Sequence, residues 1–301
     1  MPEPIALPHR LVGPADAPLV IALGGISAGR NVTALPDGTP GWWDEFVGPG
    51  RPVDTGTFRV LGVDWADQPA PISTAQQADA IADLLTHLGV DRAHALIGSS
   101  YGGMVGLAFG ERHPERLGAL VCISGAHESH PMATALRALQ RQAVDLGLAT
   151  GRPDDGMMLA RGLAMTTYRT VEEFAERFSN EPVEGDGGPR FPVQDYLEAQ
   201  GRKFLSRFTP ERFLSLSWSL DLHRVDPTAI RVPTVLVAVA EDLLVPLWQM
   251  EDLRDRLGGP ATLEVVHSAY GHDAFLKETG SIGAVIRRAL ARPLARPARP
   301  R

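Results

Sequence analysis

Ser100, Asp242 and His272 are the residues whose types and order could support nucleophilic chemistry. A serine hydroxyl is a weak nucleophile near neutral pH unless a base takes its proton, and a histidine base needs an acid to orient it. Ser100 lies in Gly98-Ser99-Ser100-Tyr101-Gly102, between an apolar run at 95–97 and Met104, Leu107 and Ala108. The first run suits a buried strand, and the second suits the inner face of a helix. Gly98 and Gly102 remove side chains where the two elements must pass closely. Ser100 therefore falls at the point of a strand–turn–helix elbow, with its hydroxyl exposed above a sheet. A plain tight turn is the competing reading, since small residues are common in turns.

The partners favour the nucleophile. Asp242 follows the strand-like VPTVLVAVA, and His272 follows ATLEVVHS within a loop that reads YGHD. In this arrangement Asp242 accepts a bond from one His272 ring nitrogen, and the other nitrogen removes the Ser100 proton. Glu241 competes for the acid role and His267 for the base; Asp242 could also serve only as a cap. His127 and His130 are pocket candidates with no acid assigned to them. An oxyanion formed by attack at a carbonyl needs two N–H donors. One is expected from Tyr101, and the other from Gly25 or Ile26 in the loop LGGISAGR. That loop could also suit a phosphate, but the chain has neither a Walker lysine signature nor GxGxxG. No compact ligand group suggests a metal. Cys122 is the single cysteine, so an internal disulfide is excluded, and its apolar surroundings read as a buried thiol.

These residues need a scaffold. Strands are expected at 18–23, 58–63, 93–97, 117–123, 232–240 and 261–268. Helices are expected at 76–88, capped by Ser73 or Thr74, and at 248–257. Repeated strand–helix alternation is best solved by an α/β fold with a mostly parallel central sheet. The long interval after Ser124 carries helical patterns at 132–146, 155–167, 171–178 and 193–206, and reads as an inserted helical cap. The expected division is a first core part over 1–125, a helical cap and returning connection over 126–230, a second core part over 231–290, and a flexible arginine- and proline-rich tail over 291–301. The net charge of −7 gives no support for nucleic-acid binding. No stretch is long and apolar enough for a membrane span, and no signal peptide is evident, so a cytoplasmic protein is expected.

Beyond the elbow, the chain resembles the homoserine O-acyltransferase family of the α/β-hydrolase superfamily. The resemblance rests on GWWDEFVGPGRPVDTGTFRVLG, SSYGGMVGLAFGERHPERL, AMTTYRT, YLEAQGRKFLSRF, LSLSWSLDLHR, EDLLVPLWQ and YGHDAFL, in that order. It implies an α/β-hydrolase fold, a homodimer, and ping-pong transfer of an acyl group from coenzyme A to L-homoserine through an acyl-serine. It also implies that Arg169 binds the substrate carboxylate and Asp273 the ammonium, with Tyr196 as a further pocket residue. No tightly bound cofactor is expected; acetyl-CoA or succinyl-CoA is the donor substrate. Acetyl-CoA is the first expectation, because a small acyl group needs no carboxylate pocket. Succinyl-CoA is the alternative, with Arg30 as a candidate in the acyl-donor pocket. A related amino-alcohol acyltransferase and a small-ester serine hydrolase are the other readings. The chain departs from the family in its LGGIS loop and in the compact GVDWADQPAPIST connection.

Overall fold

The alternation of strand and helix sequence resolves into one seven-stranded sheet. The structure, a computed structural model, describes residues 7–66, 70–185 and 188–291. The strands are β1 (His9–Val12), β2 (Leu19–Leu23), β3 (Arg59–Val63), β4 (Ala95–Ser99), β5 (Leu120–Ile123), β6 (Thr234–Val239) and β7 (Ala261–Val266). Their spatial order is β1-β3-β2-β4-β5-β6-β7. The β1–β3 pair is antiparallel, and the others are parallel. Every residue of β2, β4, β5 and β6 is buried. Their runs of mostly Val, Ile, Leu and Ala are what a strand covered on both faces requires.

The helices are α1 (Thr74–His87), α2 (Tyr101–Arg112), α3 (Pro131–Ala149), α4 (Pro153–Tyr168), α5 (Val171–Arg177), α6 (Pro192–Leu205), α7 (Pro210–Asp221), α8 (Leu247–Arg256) and α9 (Ser281–Leu290). Ser73 caps α1: its side chain accepts from the Gln76 N–H, and the Gln76 side chain accepts from the Ser73 N–H. Helices α3 to α7 form the inserted helical region between β5 and β6. The α/β-hydrolase fold with an inserted helical region is thus present. No helix among the described residues is long and apolar enough to cross a membrane.

Four features depart from the sequence expectation. Helix α7 was not expected, because LSLSWSL alternates serine with apolar residues and disguises its inward face. Ser215, Ser217 and Ser219 are all buried there. Short β1 was also missed. The connection between α5 and α6, for which no strand was expected, contains a two-stranded antiparallel pair, Val183–Gly185 with Gly188–Arg190. The strand expected at 93–97 extends instead to Ser99, since Gly98 and Ser99 still pair with Cys122 and Ile123. The expected tail, past Ala291, lies outside the described residues.

Candidate active site

Ser100 sits between β4 and α2 with φ 54° and ψ −120°. Such a conformation costs a non-glycine residue about 1–3 kcal/mol, so the surroundings must enforce it. The Ser100 N–H donates to the Ile123 carbonyl at 2.9 Å, and the Gly102 N–H donates to the Gly24 carbonyl at 2.9 Å. A side chain at Gly98 would collide with the Gly102 backbone, and one at Gly102 would collide with the Leu23 backbone. The elbow is therefore closed on both sides, and Ser100 makes no side-chain cap bond. Its hydroxyl donates to Nε2 of His272 at 2.8 Å. Ser99, by contrast, is buried and its hydroxyl donates to the Leu23 carbonyl at 3.4 Å.

His272 lies in the short 3-10 turn Gly271–Leu276. Its Nδ1–H donates to Oδ2 of Asp242 at 2.7 Å. Oδ1 of Asp242 accepts from the Leu244 and Val245 N–H groups at 2.8 and 3.0 Å. The carboxylate is thus pinned at one oxygen while the other faces the imidazole. Burial works against protonation of His272, but Asp242 and Asp273 outweigh it and hold its pKa above the usual imidazole value. The competing pair forms a separate contact: Glu241 accepts from His267 Nδ1 at 2.8 Å and from the Ser268 N–H at 2.9 Å. The His267 side chain is 79% exposed, so this pair braces the end of β7 away from Ser100. His130 lines the cavity at Ser100. His127 instead contacts Arg256 at 3.0 Å.

The glycine loop lies beside the elbow. A side chain at Gly25 would point toward Ser100, with 4.0 Å between the two Cβ atoms. The Gly25 carbonyl accepts from the Ala28 N–H and from Trp65 Nε1, each at 3.0 Å. Those bonds fix the loop while its path beside Ser100 stays open. Gly25 and Ile26 line the same cavity as Ser100 and His272. Tyr101 opens α2; its buried hydroxyl bonds Ser219 at 2.7 Å and ties the elbow to α7. Burial pushes that hydroxyl's pKa up to about 12, so it stays neutral.

The cavity holds about 310 Å³ and is roofed by α3, α4 and α7. Asp273 lines it, but Arg169 and Tyr196 line an adjoining depression of about 700 Å³. Asp273, Trp42, Arg161 and Leu276 belong to both walls. Arg169 is already engaged: Nε donates to Asp273 at 2.9 Å and Nη1 to Glu173 at 2.9 Å. Tyr196 packs 5.0 Å from the Phe178 ring and under the Arg177 guanidinium at 4.3 Å. Arg30 lies outside this wall; its backbone N–H and guanidinium both turn to Asp64, at 2.7 and 3.6 Å. Sequence reasoning missed Tyr168, Arg137 and Arg161, which line the cavity. Tyr168 lies 5.9 Å from the His272 ring, and its place beside Arg169 in AMTTYRT was the available signal. Among the described residues no group of three or more acidic, histidine or cysteine side chains could hold a metal.

The sheet order, elbow and inserted helices define a protein of the α/β-hydrolase class, and the model of the alpha/beta hydrolase fold matches residues 32–279. A homoserine O-succinyltransferase of Xanthomonas campestris pv. campestris is 47% identical over 95% of this chain and 79% of its own length. An L-serine/homoserine O-acetyltransferase of Streptomyces lavendulae is 33% identical over 90% of this chain and 87% of its own. The chain belongs to the homoserine O-acyltransferase family of α/β-hydrolase-fold proteins. The crystal structure of homoserine O-acetyltransferase from Bacillus anthracis superposes with a TM-score of 0.86 at 16% identity, covering 96% of this chain and 93% of that one, and shares the fold.

Proposed function

We propose that the protein transfers an acyl group from acyl-CoA to the hydroxyl of L-homoserine by a ping-pong route through acyl-Ser100. The observation that carries this reading is the unbroken hydrogen-bond chain Asp242–His272–Ser100 opening into a capped cavity. With Asp242 ionised, the His272 Nδ1–H is committed to it, so Nε2 is free to take the Ser100 proton. Ser100 Oγ attacks the thioester carbonyl, and the N–H groups of Tyr101 and of Gly25 or Ile26 receive the oxyanion. The C–S bond then breaks, and His272 returns its proton to the departing CoA thiolate. In the second half His272 removes the homoserine hydroxyl proton. The homoserine oxygen takes the acyl group, and Ser100 regains its proton.

The acceptor is a zwitterion. In this reading Asp273 receives its ammonium and Arg169 its carboxylate, with Tyr196 beside them. The Arg169–Asp273 pair must loosen as homoserine enters, so the two side chains exchange each other for the two ends of the substrate. We favour succinyl-CoA over the acetyl-CoA expected from the sequence, because the 47% identical relative is a homoserine O-succinyltransferase. A homodimer is also part of this reading. Met132, Leu139 and Leu146, seven residues apart along α3, are all exposed apolar side chains suited to a partner's cap. Light scattering reading a monomer at working concentration would remove the dimer.

The test is incubation with succinyl-CoA or acetyl-CoA, with and without homoserine, reading free CoA and O-acylhomoserine by mass. Homoserine-dependent ester formation is expected. CoA release that never yields the homoserine ester would reject the assignment in favour of a hydrolase.

The pH profile gives a second expectation. Acylation needs neutral His272, and the neighbouring carboxylates raise its pKa above the ordinary 6.5. The acid limb of single-turnover CoA release should therefore lie above pH 6.5. Asp273→Asn removes one of the two charges that favour the imidazolium, so it should move that limb to lower pH. It should also raise the KM for homoserine. A limb unmoved by Asp273→Asn would break this electrostatic account.

A further inference from the structure

The inserted helices bury more positive than negative charge at and behind the cavity wall. Arg137 of α3 donates from Nε to Asp221 at 2.6 Å and from Nη2 to Ser129 at 2.8 Å. Arg141, one turn further along α3, pairs with the other Asp221 oxygen at 2.7 Å and donates to Ser217 at 2.8 Å. The three charged side chains are only 11%, 6% and 5% exposed for Arg137, Arg141 and Asp221. Two guanidinium groups thus share one carboxylate, and a buried surplus charge is costly unless an anion meets it. Arg137 is the member that lines the Ser100 cavity, and its Nη1 makes no hydrogen bond among the described residues. Its charge is also felt at His272, where it works against protonation.

The carboxylates in the cavity wall do not neutralise it. Glu128 pairs with Arg224 at 3.6 Å, and Asp273 pairs with Arg169 at 2.9 Å. Nor does the acceptor's carboxylate have first claim on Arg137. Asp273, which suits the acceptor's ammonium, also borders the adjoining depression, where Arg169 lies and Arg137 does not.

We propose that the Arg137 guanidinium, oriented by Asp221 and Ser129 and backed by Arg141, is the subsite for the distal carboxylate of a dicarboxylic acyl group delivered to Ser100. The inference rests on the acyl-Ser100 reading above and assigns the residue that reads the donor. A carboxylate at Arg137 turns a cluster of two cations and one anion into a balanced set of two and two. An acetyl group leaves the surplus charge unanswered.

The test compares Arg137→Gln and Arg137→Lys with the wild type, measuring single-turnover CoA release and the mass of the protein with succinyl-CoA and with acetyl-CoA. Arg137→Gln leaves Asp221 and Arg141 as a one-to-one pair, so the fold should survive; thermal unfolding checks it. The ratio of succinyl to acetyl acylation should fall on the order of 10²-fold in Arg137→Gln, the scale of a lost charge-assisted bond, and less in Arg137→Lys. Equal losses with both donors or an unchanged ratio would overturn the subsite. Wild-type protein that forms no acyl adduct with either donor would instead overturn the acyl-serine reading. A wild type that acylates, paired with an Arg137→Gln ratio that does not move, would sink only the Arg137 assignment.

Discussion

Replacing Ser100 with alanine is expected to abolish the acyl-enzyme and lower turnover by on the order of 10⁶-fold, the scale seen when the nucleophile of such a triad is removed. The argument is geometric. Ser100 Oγ is the atom bonded to His272 Nε2, and no capping bond competes for it. Alanine accepts the φ of 54° no worse than serine, so the elbow should persist in the variant. Ser99→Ala is the matched control. Ser99 lies one residue earlier in β4 and faces the Leu23 carbonyl rather than the cavity, so its loss should leave acylation in place. Single-turnover CoA release and intact-protein mass after exposure to acyl-CoA separate the two variants. Rapid CoA release with a stable adduct on Ser100→Ala protein would end the nucleophile assignment.

Much of this arrangement was legible because backbone demands leave marks in the sequence. The elbow announces itself: only small residues at 98 and 102 let β4 and α2 pass so closely, and the apolar runs on either side name the two elements. The candidate acid and base were legible as positions after strands, since such loops gather at the strands' C-terminal ends in a parallel sheet. The sequence put Asp242 ahead of Glu241 but left Glu241 as a competitor. Both follow β6, and only the folded turn shows that Asp242 faces His272 while Glu241 reaches the exposed His267.

The charged wall was harder to see. Arg169 and Asp273 stand out through the motifs around them, but their bond to each other depends on two segments 104 residues apart. Arg137 sits in RALQR, a pattern that would suit any solvated helix face. What makes it a cavity residue is Asp221 at the end of α7, in the helix whose inward face is written in serine rather than leucine. Arg30 illustrates the converse. Its place after the glycine loop suggested a cavity residue, but Asp64 draws its side chain elsewhere.

Asp242→Asn should lower acylation by on the order of 10⁴-fold while leaving the fold intact. The wild-type carboxylate accepts three bonds, from the His272 Nδ1–H and from the N–H groups of Leu244 and Val245. Asparagine can keep its carbonyl oxygen toward the two backbone donors, which places its NH₂ against His272 Nδ1. That contact is tolerable only if Nδ1 becomes the acceptor, which puts the ring proton on Nε2. Nε2 then cannot take the Ser100 proton, although every heavy atom keeps its place. Removing the negative charge also withdraws the main support for the imidazolium, so whatever limb remains should move to lower pH. Glu241→Gln is the comparison. It alters the adjacent carboxylate, which bonds His267 and the Ser268 N–H, and should change acylation by less than about tenfold. Single-turnover CoA release as a function of pH measures both variants. A loss in Glu241→Gln as large as in Asp242→Asn, or an Asp242→Asn rate within about tenfold of wild type, would show that the acid had been assigned to the wrong residue.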